Sequence, residues 1–244
     1  TYGKVWGFLF GWAQMLVYFP ANIAALSVVF GQQFAVLFGF PTKYATLIAL
    51  LLALFLMSLN FISTKFSTRM QSAMTILKAI PIALIVIFGL FNPAKISVNL
   101  LPLSSGHNVS FWAGLSGGLL AALFAYDGWI NVTNLAGEVK EPEKNLSRAI
   151  IIGLSAITLI YVLVNYAFLT AIPFKEIIGN QNTAYLASLK LFGSLGGKLI
   201  TIGILISVYG AINGFMLTGM RIPYTLAKDK MLPFSNKIGR TNIN

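Results

Sequence analysis

The sequence predicts an all-α membrane protein, and three observations carry that prediction. Of 244 residues, 57% are apolar and only 9% charged, with a mean hydropathy of +0.80. An ordinary soluble domain carries about 25% charged residues, so this chain could not clothe itself with a wetted surface. The apolar residues also gather into six runs of roughly twenty or more, the length a helix needs to cross about 30 Å of hydrocarbon. Finally, the 17 Lys and Arg outnumber the 6 Asp and Glu, and they fall almost wholly between the runs. That placement is the mark of a membrane protein whose cations stay in cytoplasmic loops. It accounts for the basic balance without a nucleic-acid partner.

The expected spans are 5–38, 44–63, 72–92, 110–136, 149–172 and 197–226. A large β-barrel would alternate apolar and polar residues over segments of about ten, whereas Tyr44 to Met57 is apolar on every side. In the first span Pro20 removes a backbone donor and bends the axis; a plain kink and a binding role are both open. The second and third spans are joined by Lys65 and Arg69, and the fourth and fifth by Lys140, Lys144 and Arg148. With Lys4 and the tail cations Arg221, Lys228, Lys230, Lys237 and Arg240, these form the richer side, so the first span runs from inside to outside. The poorer side has Lys43, Lys95, Lys175, Lys190 and Lys198. Between the fifth and sixth spans, Tyr185, Leu186, Leu189, Phe192 and Leu195 have helical spacing, which predicts a short helix lying against the outer surface. The chain opens at Thr1 without Met and stops soon after its last span, and both ends are expected to be cuts in a longer protein.

Much chemistry is excluded at once. There is no Cys, hence no disulfide framework, thiolate zinc site, Fe–S cluster or cysteine nucleophile. The one histidine, His107, does not make a multi-histidine metal site. Gly193 to Leu199 has the wrong spacing for a phosphate-binding loop and lacks the hydroxyl after Lys198. Asn108-Val-Ser110 is a sequon only where the source glycosylates. No nucleophile–base pair is visible, so neither an enzyme, a cofactor nor a metal is expected.

The informative residues are those that interrupt the apolar pattern. Apart from Lys198 and Arg221 towards the two ends of the last span, only Lys78 and Asp127 bring formal charge into the spans. Lys78 lies about 10 Å by helical rise from Gln71 at the cytoplasmic edge. It either snorkels to the headgroups or stands as a buried ammonium that fills a cation site or exchanges a proton. Asp127 sits in Phe124-Ala-Tyr-Asp-Gly-Trp-Ile-Asn131, a stretch of poor helical propensity near mid-span. A helix interrupted there frees N–H and C=O groups at a depth where they must line a cavity or bind something. Half-helix ends of that kind can hold both ends of a zwitterion. The alternative is a continuous helix with Asp127 paired to a neighbour. Gly7/Gly11, Gly114/Gly118 and Gly210/Gly214 have the spacing of close helix packing. Ser207, Tyr209 and Asn213 form a polar stripe on the last span, for interhelical hydrogen bonding or for lining a cavity.

These residues resemble the amino acid–polyamine–organocation superfamily, and within it the L-type amino acid transporters and bacterial serine/threonine-type exchangers. Phe124 to Asn131, followed by Glu138-Val-Lys-Glu-Pro142-Glu-Lys-Asn-Leu-Ser-Arg148, is similar to that family's sixth helix and following loop. Trp12 to Asn22 resembles its third helix, and Gly210 to Gly214 with Arg221 and Leu226 to Pro233 its eighth helix and exit. The resemblance covers essentially the whole chain.

It implies a LeuT-like fold of inverted repeats, of which this partial chain would hold helices three to eight. On that map 1–92 carries helices three to five of the first repeat, 93–109 is the extracellular loop between repeats, and 110–244 carries helices six to eight of the second. The resemblance makes Phe124 an aromatic gate over the substrate and puts the carbonyls of Phe124, Ala125 and Tyr126 near its ammonium. Asp127 and Gly128 would stand in the pocket wall, the Asp127 side chain being dispensable. Val17, Tyr18 and Asn22 would line the side-chain pocket, with Asn22 resembling members that accept small neutral L-amino acids. Lys78 would replace the sodium ion of sodium-dependent members, with Ser207 as its neighbour. The implied protein is a multi-pass, sodium-independent exchanger in the lipid bilayer of a bacterial cell membrane. Lacking Cys, it would have no disulfide-linked heavy chain. A proton-coupled symporter in which Lys78 titrates, or a non-transporting amino acid sensor, are the alternatives. A channel would need charged rings or repeated pore helices, which the sequence lacks.

Overall fold

The computed structural model describes residues 3–91, 96–98, 110–132, 139–180 and 182–239, without the side chains of Thr64 and Lys65. His107, Asn108, Gly137 and Arg240 lie outside the described residues, as does the expected inter-repeat loop apart from 96–98. Among the described residues the structure is helical with no strand, and six helices are long and apolar enough to cross a membrane. We number them α1 (Lys4–Phe38), α2 (Thr42–Ile62), α3 (Phe66–Phe91), α4 (Phe111–Val132), α5 (Pro142–Ala171) and α6 (Thr183–Lys228).

The interruptions in these helices follow from local chemistry. In α1 the turn Gln14–Tyr18 is a π-helix immediately ahead of Pro20. Pro20 has no N–H for the Leu16 carbonyl and its ring crowds that turn, so the backbone widens instead of breaking. In α3, Lys78 is the joint between the helices Thr64–Leu77 and Ala79–Phe91, placed there because Pro81 withdraws the donor that Leu77 would use. The N-terminal end of this element is capped by the Ser63 hydroxyl, which accepts from the Phe66 N–H at 3.2 Å. In α6, Gly193 (φ 72°, ψ −167°) divides a short helix from a long one, a backbone conformation open essentially to glycine. The short helix expected on the outer surface is the part from Thr183 to this kink. The sequence-based start of the fifth span at 149 differs from the structure, where α5 begins at Pro142. Its first two turns are charged and extend the helix beyond its apolar run.

The chain forms two compact units, 1–83 with 194–244, and 84–193. In the first, α1 and α2 lie against one another so closely that a Cβ on Gly31 would collide with the Ala45 carbonyl oxygen. Its apolar core gathers Phe19, Ile222 and Leu226, with Trp12, Tyr18 and Phe215 around them. The second unit packs the end of α3 against α5. A Cβ on Gly89 would meet Ala167, and the Thr170 hydroxyl donates to the Gly89 carbonyl at 3.2 Å. The short first helix of α6 folds back onto the end of α5 through Ala171, Ile172 and Ala187.

Candidate functional site

The resemblance assigns the site to two groups of residues, and each falls within one unit. In the second unit, α4 stops being α-helical at Ala125. Tyr126 has φ −90° and ψ 1°, and Gly128 has φ +106°. The interruption expected at Tyr-Asp-Gly is therefore present, and a side-chain-bearing residue would be strained at position 128. The backbone re-pairs over short range: the Tyr126 N–H donates to the Ala122 carbonyl at 2.9 Å, the Asp127 N–H to Phe124 at 3.1 Å and the Asn131 N–H to Gly128 at 3.0 Å.

Helix α5 supplies what α4 lacks. The Tyr161 hydroxyl donates to the Ala125 carbonyl at 2.8 Å. The Tyr126 hydroxyl donates to Thr158 Oγ1 at 2.8 Å, and Thr158 in turn donates to the Leu154 carbonyl at 2.8 Å. The two tyrosine rings meet edge to face, 5.2 Å between centroids. Ala125, Tyr126, Asp127 and Gly128 all line one cavity of about 290 Å³ against α5, while Phe124 is not among its walls. Phe124 is 64% exposed. The carbonyl oxygens of Phe124 and Ala125 each keep a second lone pair for a further donor.

In the first unit, Val17 lies within the π-turn and is 65% exposed. Tyr18 is half-buried, its ring edge-on to Phe19 and Phe215 at 5.1 and 6.0 Å. That side chain packs the core. Asn22 directs its amide N–H back to the Tyr18 carbonyl at 3.0 Å.

Lys78 and Ser207 belong to the same unit and stand at one level. The long helix of α6 runs antiparallel to α3 with a glycine seam between them. A Cβ on Gly203 would touch the Pro81 ring at 2.7 Å, one on Gly210 would touch Met74 at 3.1 Å and one on Gly214 would touch Gln71 at 3.0 Å. Reading along that register, Ser207 falls opposite Lys78. Lys78 is half-buried; its N–H donates to the Met74 carbonyl at 3.0 Å, while its ammonium makes no hydrogen bond or ion pair among the described residues. No hydrogen bond joins it to Ser207.

Sequence reasoning missed several functional positions. Tyr161 and Thr158 carry a signal in hindsight, since a phenol and a hydroxyl inside an apolar run need partners. Asn60 and Ser67 also went unremarked, and Gln71 was read only as the edge of its span. They converge on Asn213, which accounts for that part of the polar stripe as interhelical hydrogen bonding.

Six membrane-length helices, one of them broken at mid-span and re-paired by its neighbour, define a multi-pass helical membrane protein with an exposed backbone site. The chain belongs to the amino acid permease family, whose profile matches residues 1–244. It is 41% identical over 246 residues to the serine/threonine exchanger SteT of Bacillus subtilis (strain 168), covering 99% of this chain and 54% of that protein. It is 30% identical to the large neutral amino acids transporter small subunit 2 of Mus musculus, covering 95% of this chain and 45% of that protein. Against the Asc-type amino acid transporter 1 of Homo sapiens the identity is 27%, over 95% of this chain and 46% of that protein. The chain thus spans about half the length of the curated relatives it matches.

Proposed function

We propose that this chain is part of a sodium-independent exchanger of small neutral L-amino acids working by alternating access. One observation carries this reading: the break of α4 at Tyr126-Asp127-Gly128, which holds backbone polar groups at mid-span where only a ligand or a cavity makes them tolerable. Its carbonyls suit an ammonium, and a neutral zwitterion needs nothing more from this helix than backbone dipoles. The relatives named as a serine/threonine exchanger and as neutral amino acid transporters support the same substrate class. Phe124, exposed beside the break, is suited to closing over a bound substrate. Asn22 offers an amide oxygen to a small polar side chain, and Lys78 supplies the fixed positive charge that would make a sodium ion unnecessary.

The test is counterflow of labelled serine in liposomes containing the full-length protein. Uptake is expected only when amino acid is present inside, and equal uptake into empty vesicles sinks obligatory exchange. Lys78→Ala is expected to slow exchange while the protein stays folded. The absence of any bonded partner on the Lys78 side chain among the described residues favours a second reading, proton-coupled symport, in which that amine carries the proton. Uptake driven by an imposed pH gradient, without internal amino acid, would establish that reading instead.

A further inference from the structure

Below the level of Lys78, α2, α3 and α6 are joined by a buried amide–hydroxyl cluster within the first unit. Asn60 and Asn213 are 3% and 1% exposed and Ser67 is fully buried. Asn60 Nδ2 donates to Asn213 Oδ1 at 2.9 Å and to the Leu56 carbonyl at 2.9 Å. The Ser67 hydroxyl lies 2.7 Å from Asn60 Oδ1 and 2.8 Å from Asn213 Oδ1. Asn213 Nδ2 completes the set, donating to the Ser67 carbonyl at 3.3 Å and to Gln71 Oε1 at 3.2 Å. Every polar atom of the two asparagines is thereby used.

A network of this kind is not needed to hold helices together, since interhelical hydrogen bonds in membranes add little stability. What it adds is register. The α3–α6 seam is lined by Gly203, Gly210 and Gly214, and a smooth glycine face resists neither sliding nor rotation by itself. A single buried asparagine is the best-attested device for fixing helix register at a cost in stability. Asn213 reaches both the backbone and a side chain of α3, at Ser67 and Gln71, and so fixes translation and rotation together. From Gln71 the helical rise leads up about 10 Å to Lys78, and from Asn213 about 9 Å to Ser207.

We propose that Asn213, with Asn60 and Ser67, is the positioning residue that keeps Ser207 opposite Lys78. This rests on the reading of Lys78 as the charge that stands in for sodium. Asn213 touches no substrate; it acts through the seam.

The segment contains no cysteine, so a pair can be introduced cleanly. Lys78→Cys with Ser207→Cys in the full-length protein, oxidised in membranes, reads the register without reference to activity. The cross-link is expected to form, because facing residues across so close a seam bring their Cα atoms within about 7 Å. Adding Asn213→Leu is expected to lower its yield at least about threefold, the factor an average interhelical hydrogen bond in a membrane is worth. An unchanged yield overturns the proposal. Exchange is then measured with Asn60→Leu, Ser67→Ala and Asn213→Leu together, an apolar replacement that leaves no orphaned amide. The rate is expected to fall about tenfold at unchanged KM on the native background and not at all on the Lys78→Ala background, the signature of coupled sites. Equal losses on both backgrounds overturn the positioning role and leave the reading of Lys78 standing. A Lys78→Ala protein that exchanges at the native rate overturns both.

Discussion

Gly203→Ala puts the geometry of the α3–α6 seam to a quantitative test. The added Cβ would stand 2.7 Å from Pro81 Cγ and 2.8 Å from Pro81 Cβ, whereas carbon atoms settle at about 3.5–4.0 Å. The seam must open by about 1 Å. The ring cannot turn away, because it is closed onto its own backbone nitrogen. Overpacking of this kind costs about 1–3 kcal/mol, which a helix bundle can survive. Its functional cost is larger, because Gly203 lies one turn from Ser207. A displacement of about 1 Å in a working constellation can lower a rate by about 100-fold. Gly203→Ala is therefore expected to reduce serine exchange by at least about tenfold, measured in proteoliposomes and normalised to protein that elutes as a single folded peak. Gly11→Ala is the control. Its Cβ would meet a Leu226 methyl at 3.2 Å, a flexible side chain that can yield, so exchange should stay within about twofold. A native rate in Gly203→Ala, or equal losses in the two variants, would refute the claim that this seam sets the position of the charged residue.

Three further outcomes are expected. Tyr161→Phe removes the donor that lies 2.8 Å from the Ala125 carbonyl; by the range measured for such bonds it should lower kcat/KM about three- to twentyfold, read from the concentration dependence of exchange. Asp127→Asn should retain most of its exchange rate at saturating serine, because the backbone carbonyls and not this carboxylate form the proposed ammonium site; abolished binding would transfer the role to the carboxylate. Gly128→Ala forces a side chain into φ +106°, a conformation that costs about 1–3 kcal/mol. Its melting temperature and its exchange rate should both fall, and a fully native protein would mean that the turn relaxes without consequence.

The six spans were legible because a membrane imposes length and hydrophobicity on every crossing segment. The break in α4 was legible as well, since Tyr126, Asp127 and Gly128 are poor helix formers and Gly128 alone among them accepts a positive φ. Other features needed the third dimension. The first two turns of α5 carry Glu143, Lys144 and Arg148, so the apolar pattern stopped short of them although the helix did not. Pro20 announced an irregularity in α1, but the widened turn falls on Gln14–Tyr18, ahead of it. The edge-on contacts of the Tyr18 ring with Phe19 and Phe215 were not legible either. The asparagine cluster joins residues 153 and 146 positions apart, and no periodicity within one helix can show such a pairing. The facing of Ser207 and Lys78 was expected from resemblance alone; its physical basis, the glycine seam, is visible only when the contacts of Gly203, Gly210 and Gly214 are read in order.

The two units treat their exposed polar groups in opposite ways. In the second unit the broken end of α4 is attended closely: Tyr161 occupies the Ala125 carbonyl and Thr158 holds the Tyr126 hydroxyl. A neutral dipole at this depth costs several kcal/mol if left bare, so these bonds preserve the break without abolishing its spare acceptor capacity. In the first unit the helix bends at Lys78 and the ammonium is left without a bonded partner among the described residues, although a charge is costlier to leave bare than a dipole. Hydrogen-bonding capacity was available nearby, yet Asn60, Ser67, Gln71 and Asn213 spend theirs on one another, two turns away. The arrangement makes sense if the ammonium has to remain available at a fixed position while the backbone site opens and closes on its ligand. In the proposed sodium-independent exchanger, a carboxylate beside Lys78 would cancel the charge that replaces the cation. Register held from a distance by neutral amides leaves that charge intact.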